Sequence, residues 1–317
     1  MEPIWLSHYP PGIPAEVNVH EFASLKDMLL RSCQCFGSLP AYSNMGASMT
    51  YAELDRSSRN FAAYLQKSLG LHKGDRVAIM MPNLLQYPVA LFGVLRAGLV
   101  VVNVNPQYTP PELEHQLKDS GAAAIVVLEN FAHTLQKVLD KSPTLKLAVI
   151  TTEVGDMFPV VKKLLTNFVV KNVKHMVPAW EISRATKFDA ALGAGRRQLV
   201  EDVPLSHDDI AFLQYTGGTT GVAKGAVLTH GNLVANVQQM GAWMARDLVD
   251  GTEVFVCSLP LYHVYALTSS LVFMRVGANT VLVTNPRDMH AFIHDLKKYP
   301  FTIIIAVNTL YLSLIHI

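Results

Sequence analysis

Apolar residues along this chain gather in short runs. Val77-Ala78-Ile79-Met80-Met81, Leu99 to Val104, Ala124 to Leu128, Ile210 to Tyr215, Val254 to Leu259 and Thr280 to Val283 are strand-length and nearly continuous, the pattern of strands buried on both faces. Ala226-Val227-Leu228 is a further strand candidate. Between these runs stand helix signals. Thr50-Tyr51-Ala52-Glu53 is a capping box that predicts a helix through Leu54, Phe61 and Leu65 to Gly70, and Thr109-Pro110-Pro111-Glu112 is a second,. Val89 to Ala97, Asn232 to Met244 with Thr229 as its cap, and Tyr265 to Val276 complete the predicted helices,. Strands alternating with helices imply an α/β fold of layered parallel or mixed sheets covered by helices, with ligands at the carboxyl ends of the strands.

Composition narrows the class. With 317 residues, half of them hydrophobic and 16% charged, the chain can bury a large core and is not disordered,. A net charge of +1 gives no overall attraction to nucleic acid,. Cys33, Cys35 and Cys257 are odd in number and lack a zinc-type second pair, so neither a disulfide framework nor a structural metal is expected, and a reducing cytoplasm fits. Cys33 and Cys35 are expected to act as small hydrophobes in a helix. Arg96, in an otherwise apolar segment, is expected to pair with a carboxylate or a helix end. Met1-Glu2-Pro3-Ile4-Trp5 has no secretory pattern,. The stretch Val89 to Val102 is interrupted by Arg96 and two glycines, so no membrane span is expected,.

One stretch stands apart. From Met157 to Val177, apolar Val161, Leu164, Leu165, Phe168, Val169 and Met176 recur at helical spacing, and Lys162, Lys163, Lys171 and Lys174 meet no acidic residue before Trp180. Such a segment either lies on an anionic membrane, the 157–180 region then being peripheral on the inner membrane, or packs its apolar face on the core with its lysines solvated.

The densest chemistry lies in Tyr215-Thr216-Gly217-Gly218-Thr219-Thr220-Gly221-Val222-Ala223-Lys224-Gly225. Glycines let a backbone approach an anion, threonines supply hydroxyls, and Lys224 supplies a point charge. Together they suit phosphate. A Walker loop ends in Gly-Lys-Ser/Thr and opens a helix, whereas here Lys224 precedes Gly225 and an apolar run,.

This run resembles the phosphate-loop signature of the adenylate-forming (AMP-binding) superfamily. Its flanking blocks resemble the bacterial long-chain fatty acid CoA ligase branch: Met80-Met81-Pro82-Asn83-Leu84-Leu85-Gln86-Tyr87-Pro88, Leu95-Arg96-Ala97-Gly98, Asn103-Val104-Asn105-Pro106, Pro260-Leu261-Tyr262-His263-Val264-Tyr265-Ala266-Leu267 and Thr284-Asn285-Pro286-Arg287-Asp288. The resemblance implies ATP-dependent activation of a fatty acid to an acyl-adenylate, release of pyrophosphate, and thioester formation with CoA. Both reactants of the first step are anions, so the site must neutralise charge and align the attack. Tyr215 to Gly221, Lys224 and Gly225 would then bind nucleotide, with Lys224 toward the β- and γ-phosphates. Thr216, Thr219 and Thr220 would touch phosphate or Mg²⁺, Thr216 foremost for Mg²⁺, or else stabilise the loop's own turn. His263 would hydrogen-bond the reacting carboxylate, or else cap backbone groups. The apolar run Ala266, Leu267, Leu271 and Phe273 either shapes an acyl tunnel or is core.

The resemblance also implies an incomplete N-terminal AMP-binding domain over 1–317, with a family-like core over about 25–311 and the C-terminal lid domain absent, while the apolar ending without a stop signal suggests truncation and residues 312–317 as a non-native tail,. No Tyr-Gly-x-Thr-Glu and no Thr-Gly-Asp segment occurs in it. The chain alone is therefore expected to be inactive and poorly soluble. The other functions left open are an adenylating enzyme for an aryl or amino acid, and a noncatalytic nucleotide- or acyl-binding module.

Overall fold

The apolar runs fold as strands of two sheets. In the computed structural model, which describes residues 4–216 and 222–316, the strands are β1 (Pro40–Asn44), β2 (Ala47–Thr50), β3 (Arg76–Met80), β4 (Val100–Asn103), β5 (Ala122–Leu128), β6 (Ala148–Thr152), β7 (Thr186–Lys187), β8 (Ile210–Thr216), β9 (Lys224–Thr229), β10 (Val254–Cys257), β11 (Asn279–Leu282) and β12 (Ile303–Ile305). The larger sheet has the order β7-β6-β5-β3-β4-β8-β9 and the smaller β12-β10-β11-β1-β2. Neighbours are parallel except at one edge of each, where β8–β9 and β1–β2 pair antiparallel. The α/β reading with mixed sheets holds. Strands β1, β2, β6, β7 and β12 were not foreseen.

Helices follow the caps. They are α1 (Leu25–Phe36), α2 (Tyr51–Ala63), α3 (Gln86–Arg96), α4 (Pro110–Ser120), α5 (Glu129–Lys141), α6 (Val160–Phe168), α7 (Phe188–Gly195), α8 (His230–Met244), α9 (Val264–Arg275), α10 (Met289–Lys298) and α11 (Asn308–Ile315). Reciprocal capping boxes open α2 at Thr50/Glu53 and α4 at Thr109/Glu112, and Thr229 with Asn232 opens α8. Each satisfies backbone N–H groups that the first turn leaves without partners. Among the described residues no helix is long and apolar enough to cross a membrane.

Strand alternation distributes the core. Val77 and Ile79 of β3, Val101 of β4 and Val126 of β5 join one apolar cluster with α1, α2, α3 and α9, and that cluster also takes in Phe255 and Cys257 of β10. Their neighbours Ala78, Met80, Val102, Ile125 and Val127 point the other way, onto Leu113 and Leu117 of α4 and Leu135 and Val138 of α5. On the far side of the smaller sheet, Val256 and Val281 meet Phe292 of α10 and Leu310 of α11. Each sheet is thus covered on both faces and shares one helical layer with the other, which is why its strands read as unbroken apolar runs.

Arg96 does what its setting requires: its guanidinium lies 2.6 Å from the Asp55 carboxylate and also reaches the Ser58 hydroxyl. The cysteines divide. Cys33 and Cys257 are buried, and burial pushes both thiols up to about 12, so neither is nucleophilic at neutral pH. Cys35 is exposed, contrary to its expected role as a small hydrophobe, because it lies two residues from Cys33 and so on another helix face,.

Candidate functional site

The described ends of the glycine–threonine run are the facing ends of β8 and β9. Gly217, Gly218, Thr219, Thr220 and Gly221 lie outside the described residues. On either side of them, Thr216 stands opposite Lys224 and Tyr215 opposite Gly225 in antiparallel register. Directly opposed residues share a face, and successive residues alternate. Thr216 and Lys224 therefore share one face and are both exposed. Tyr215 and Gly225 share the other.

That second face is a mounting. The Tyr215 ring lies where a Cβ on residue 225 would sit, with ring carbons 2.9 Å from that position, so glycine is required there for steric reasons,. The Tyr215 hydroxyl donates to Asp119 of α4 at 2.5 Å, and burial together with that carboxylate raises its pKa. A phenol held neutral in this way is a fixed strut. From the same helix, His115 Nε2 lies 3.0 Å from the Ala223 carbonyl. α4 thus grips both arms of the hairpin, a role for His115 and Asp119 that the sequence reading missed.

Gln214 lies two residues before Thr216 and so on the same face. Its Nε2 donates to the carbonyl of Tyr262 at 2.9 Å. The face bearing Thr216 and Lys224 is therefore the one turned toward the Pro260–Tyr265 segment, and the two regions singled out in the sequence come together. Within that segment His263 caps α9. Its Nδ1 accepts from the Tyr265 N–H at 3.4 Å, while the backbone N–H of His263 donates to the Pro260 carbonyl at 2.9 Å. An accepting Nδ1 leaves the proton of the neutral ring on Nε2, and the His263 side chain is exposed. The structure thus shows His263 as a helix cap, with Nε2 bonded to no other described residue. Ala266, Leu267, Leu271 and Phe273 are buried in the main core.

The same segment is fixed from the opposite side by Asn83, in the turn after β3. Its Nδ2 donates to the carbonyls of Leu259 at 2.9 Å and Cys257 at 3.2 Å, and its Oδ1 accepts the Leu261 N–H at 2.8 Å. Its carbonyl accepts from the Thr284 hydroxyl at 2.8 Å. One buried amide thereby ties the carboxyl ends of the two sheets together. The available signal was a polar residue directly after an apolar run, since a buried amide must find partners. Among the described residues no three His, Cys, Asp or Glu side chains gather as a metal cage.

Two helix-covered sheets whose carboxyl strand ends are tied together by Asn83, with a hydroxyl and a lysine side by side on the exposed face of one edge hairpin, define an α/β domain suited to anionic ligands at its strand ends. The chain belongs to the AMP-binding enzyme family, whose model matches residues 29–316. It is 53% identical over 317 residues to a long-chain-fatty-acid–CoA ligase of Escherichia coli O157:H7, covering 100% of this chain and 56% of that protein. A long-chain-fatty-acid–CoA ligase of Bacillus subtilis (strain 168) is 32% identical over 314 residues, covering 98% of this chain and 55% of its own length. A solved long-chain-fatty-acid-CoA ligase from Archaeoglobus fulgidus superposes with a TM-score of 0.76 at 24% identity, over 97% of this chain and 56% of that one, and shares its fold. The chain spans about half the length of the curated relatives it matches.

Proposed function

We propose that this chain supplies the phosphate-gripping hairpin and the acyl-side wall of a long-chain fatty acid CoA ligase. A fatty carboxylate oxygen attacks the α-phosphorus of ATP, the bond to the β-phosphate breaks, and pyrophosphate departs. The CoA sulfur then takes the acyl carbon, and AMP leaves. Lys224 offsets charge on the outer phosphates, and Thr216 contacts them or the Mg²⁺ they carry, an ion that neutralises phosphate oxygens when bound. His263 donates from Nε2 to the carboxylate. The observation that carries this reading is the shared face: strand alternation puts Thr216 and Lys224 on the side of β8 that Gln214 ties to Tyr262. The test uses the complete protein, with the segment its relatives carry beyond this chain restored. Lys224→Ala and Thr216→Ala should each lower fatty-acid-dependent ATP–pyrophosphate exchange at least about tenfold, the effect of removing one preorganised charge-stabilising contact. Exchange at the parent rate in both variants refutes the reading, and a preference for aryl or amino acids in the parent moves the protein to another branch of the family.

Peripheral contact with anionic membrane accompanies this reading. Val160, Val161, Leu164, Leu165 and Phe168 of α6 are each between 58% and 80% exposed, so the helix does not turn its apolar face onto the core. Polar bonds hold it instead: Lys163 pairs with Asp156 and Asp189, and Asn167 accepts the Gly155 N–H. An outward apolar face beside Lys171 and Lys174 matches a lipid surface. Reversing Lys162, Lys171 and Lys174 to glutamate should abolish sedimentation with phosphatidylglycerol vesicles. Unchanged sedimentation, or none by the parent, refutes the contact.

A further inference from the structure

Taking the ligase reading as its basis, we infer that Gln214 is a positioning residue that sets the nucleotide hairpin against the Tyr262–His263 segment. Its loss slows the chemical step rather than weakening either substrate's binding.

Gln214 is the last member of a buried donor chain that crosses the molecule in one direction. The Tyr87 hydroxyl of α3 donates to Asn103 Oδ1 at 2.7 Å, Asn103 Nδ2 at the end of β4 donates to Gln214 Oε1 at 3.0 Å, and Gln214 Nε2 donates to the Tyr262 carbonyl at 2.9 Å. Tyr87, Asn103 and Gln214 are 0%, 3% and 6% exposed. Gln116 of α4 closes the side of the chain by donating to the Asn103 carbonyl at 2.8 Å. In a water-poor interior such a chain holds only if every member keeps its donor and acceptor roles. Gln214 must accept with one atom of its amide and donate with the other, and it must span from its own strand to the neighbouring sheet.

The placement assigns the function. Gln214 is separated from Thr216 by a single residue, so any shift of β8 under a bound triphosphate is passed to Gln214. At the other end its partner is the carbonyl of Tyr262, immediately before His263. Asn83 pins Leu261 and Leu259 of the same segment to the end of β3. The two amides therefore hold consecutive parts of the segment, Asn83 in the turn after the larger sheet's central strand and Gln214 on the strand that carries the phosphate hairpin. Folding of the smaller sheet does not need the Gln214 bond, since Asn83, the core and three parallel strand pairings secure it. Alignment of a carboxylate with a phosphorus atom does need it. In-line attack tolerates little displacement, and a misplacement of about 1 Å costs on the order of 100-fold in rate.

The test is Gln214→Met in the complete protein. Methionine fills the same space but neither donates to Tyr262 nor accepts from Asn103. Expected is a kcat for fatty-acid-dependent ATP–pyrophosphate exchange lowered by roughly 10- to 100-fold. KM for ATP and for fatty acid should each stay within about threefold of the parent, and thermal unfolding should remain above the assay temperature. Gln214→Glu keeps an acceptor for Asn103 but loses the donor to Tyr262, and it should reproduce the loss in kcat. A folded variant with parental kcat overturns the proposal, as does a loss confined to KM, or unfolding of both variants, which would make Gln214 structural. A parent without fatty-acid-dependent exchange overturns the ligase reading and this role together, whereas an active parent with an indifferent variant overturns the role alone.

Discussion

Replacing Asn83 by leucine removes three hydrogen bonds at nearly constant volume, and the cost follows from what each partner has left. The Cys257 carbonyl keeps the Val283 N–H at 3.1 Å, so its loss is small. The Leu259 carbonyl keeps only the weak thiol of Cys257 at 3.3 Å. The Leu261 N–H, buried with Asn83 as its partner, is left with none. An orphaned buried donor costs about 1–3 kcal/mol and a weakened acceptor about 1 kcal/mol, so Asn83→Leu should destabilise by roughly 2–4 kcal/mol. Urea denaturation reads this as a lower midpoint at unchanged slope. Asn83→Asp sharpens the test. A carboxylate there faces the carbonyl oxygens of Cys257 and Leu259, which raises its folded pKa above the unfolded value. The native state then binds the proton more tightly, so stability falls as pH rises and recovers as pH drops through the raised pKa. The deficit of Asn83→Asp relative to the parent should therefore shrink from pH 7 to pH 5. The account of Asn83 as the tie between the sheets fails if Asn83→Leu lies within about 0.5 kcal/mol of the parent, the range of ordinary surface substitutions. It fails too if the Asn83→Asp deficit does not depend on pH.

Other expectations follow from the same geometry. Arg96→Met should cost about 1–2 kcal/mol by denaturation, less than a fully buried pair, because Asp55 is 28% exposed and keeps Arg59 as a second partner at 3.3 Å,. Gly225→Ala drives a methyl into the Tyr215 ring; at an overpacking cost of about 1–3 kcal/mol it should weaken binding of a nonhydrolysable ATP analogue to the complete protein about tenfold or more by calorimetry. His230 is fully buried, its Nδ1 accepts the Leu25 N–H, and burial lowers its pKa to about 4. Because the unfolded chain takes up that proton first, stability should rise with pH from about 4 to about 6.5 and then level, and His230→Gln should flatten this rise; an identical slope in the variant would show that other groups cause it.

Much of this molecule is legible in local pattern. A threonine followed three residues on by glutamate or asparagine starts a helix wherever it occurs, because the first turn's N–H groups need partners from the adjacent chain; Thr50, Thr109 and Thr229 all do so. Unbroken apolar runs mark strands covered on both faces. β1 escaped notice because Pro40-Ala41-Tyr42-Ser43-Asn44 has no apolar run. It is a strand because β11 and β2 pair with it on either side.

What the site needs for alignment was settled only by folding. Asn83 meets a segment more than 170 residues away, Gln214 meets Tyr262 across two sheets, and Asp119 meets Tyr215 from a helix on the far face. Nothing in local spacing specifies such partners. Asn83 follows an apolar run and Gln214 interrupts one, so each must be paired inside, yet which group pairs with it depends on how the two sheets are set against each other. Local hydrogen-bonding need and hydrophobic period act over a few residues and are written in the sequence, whereas the satisfaction of buried amides is a property of the packed whole.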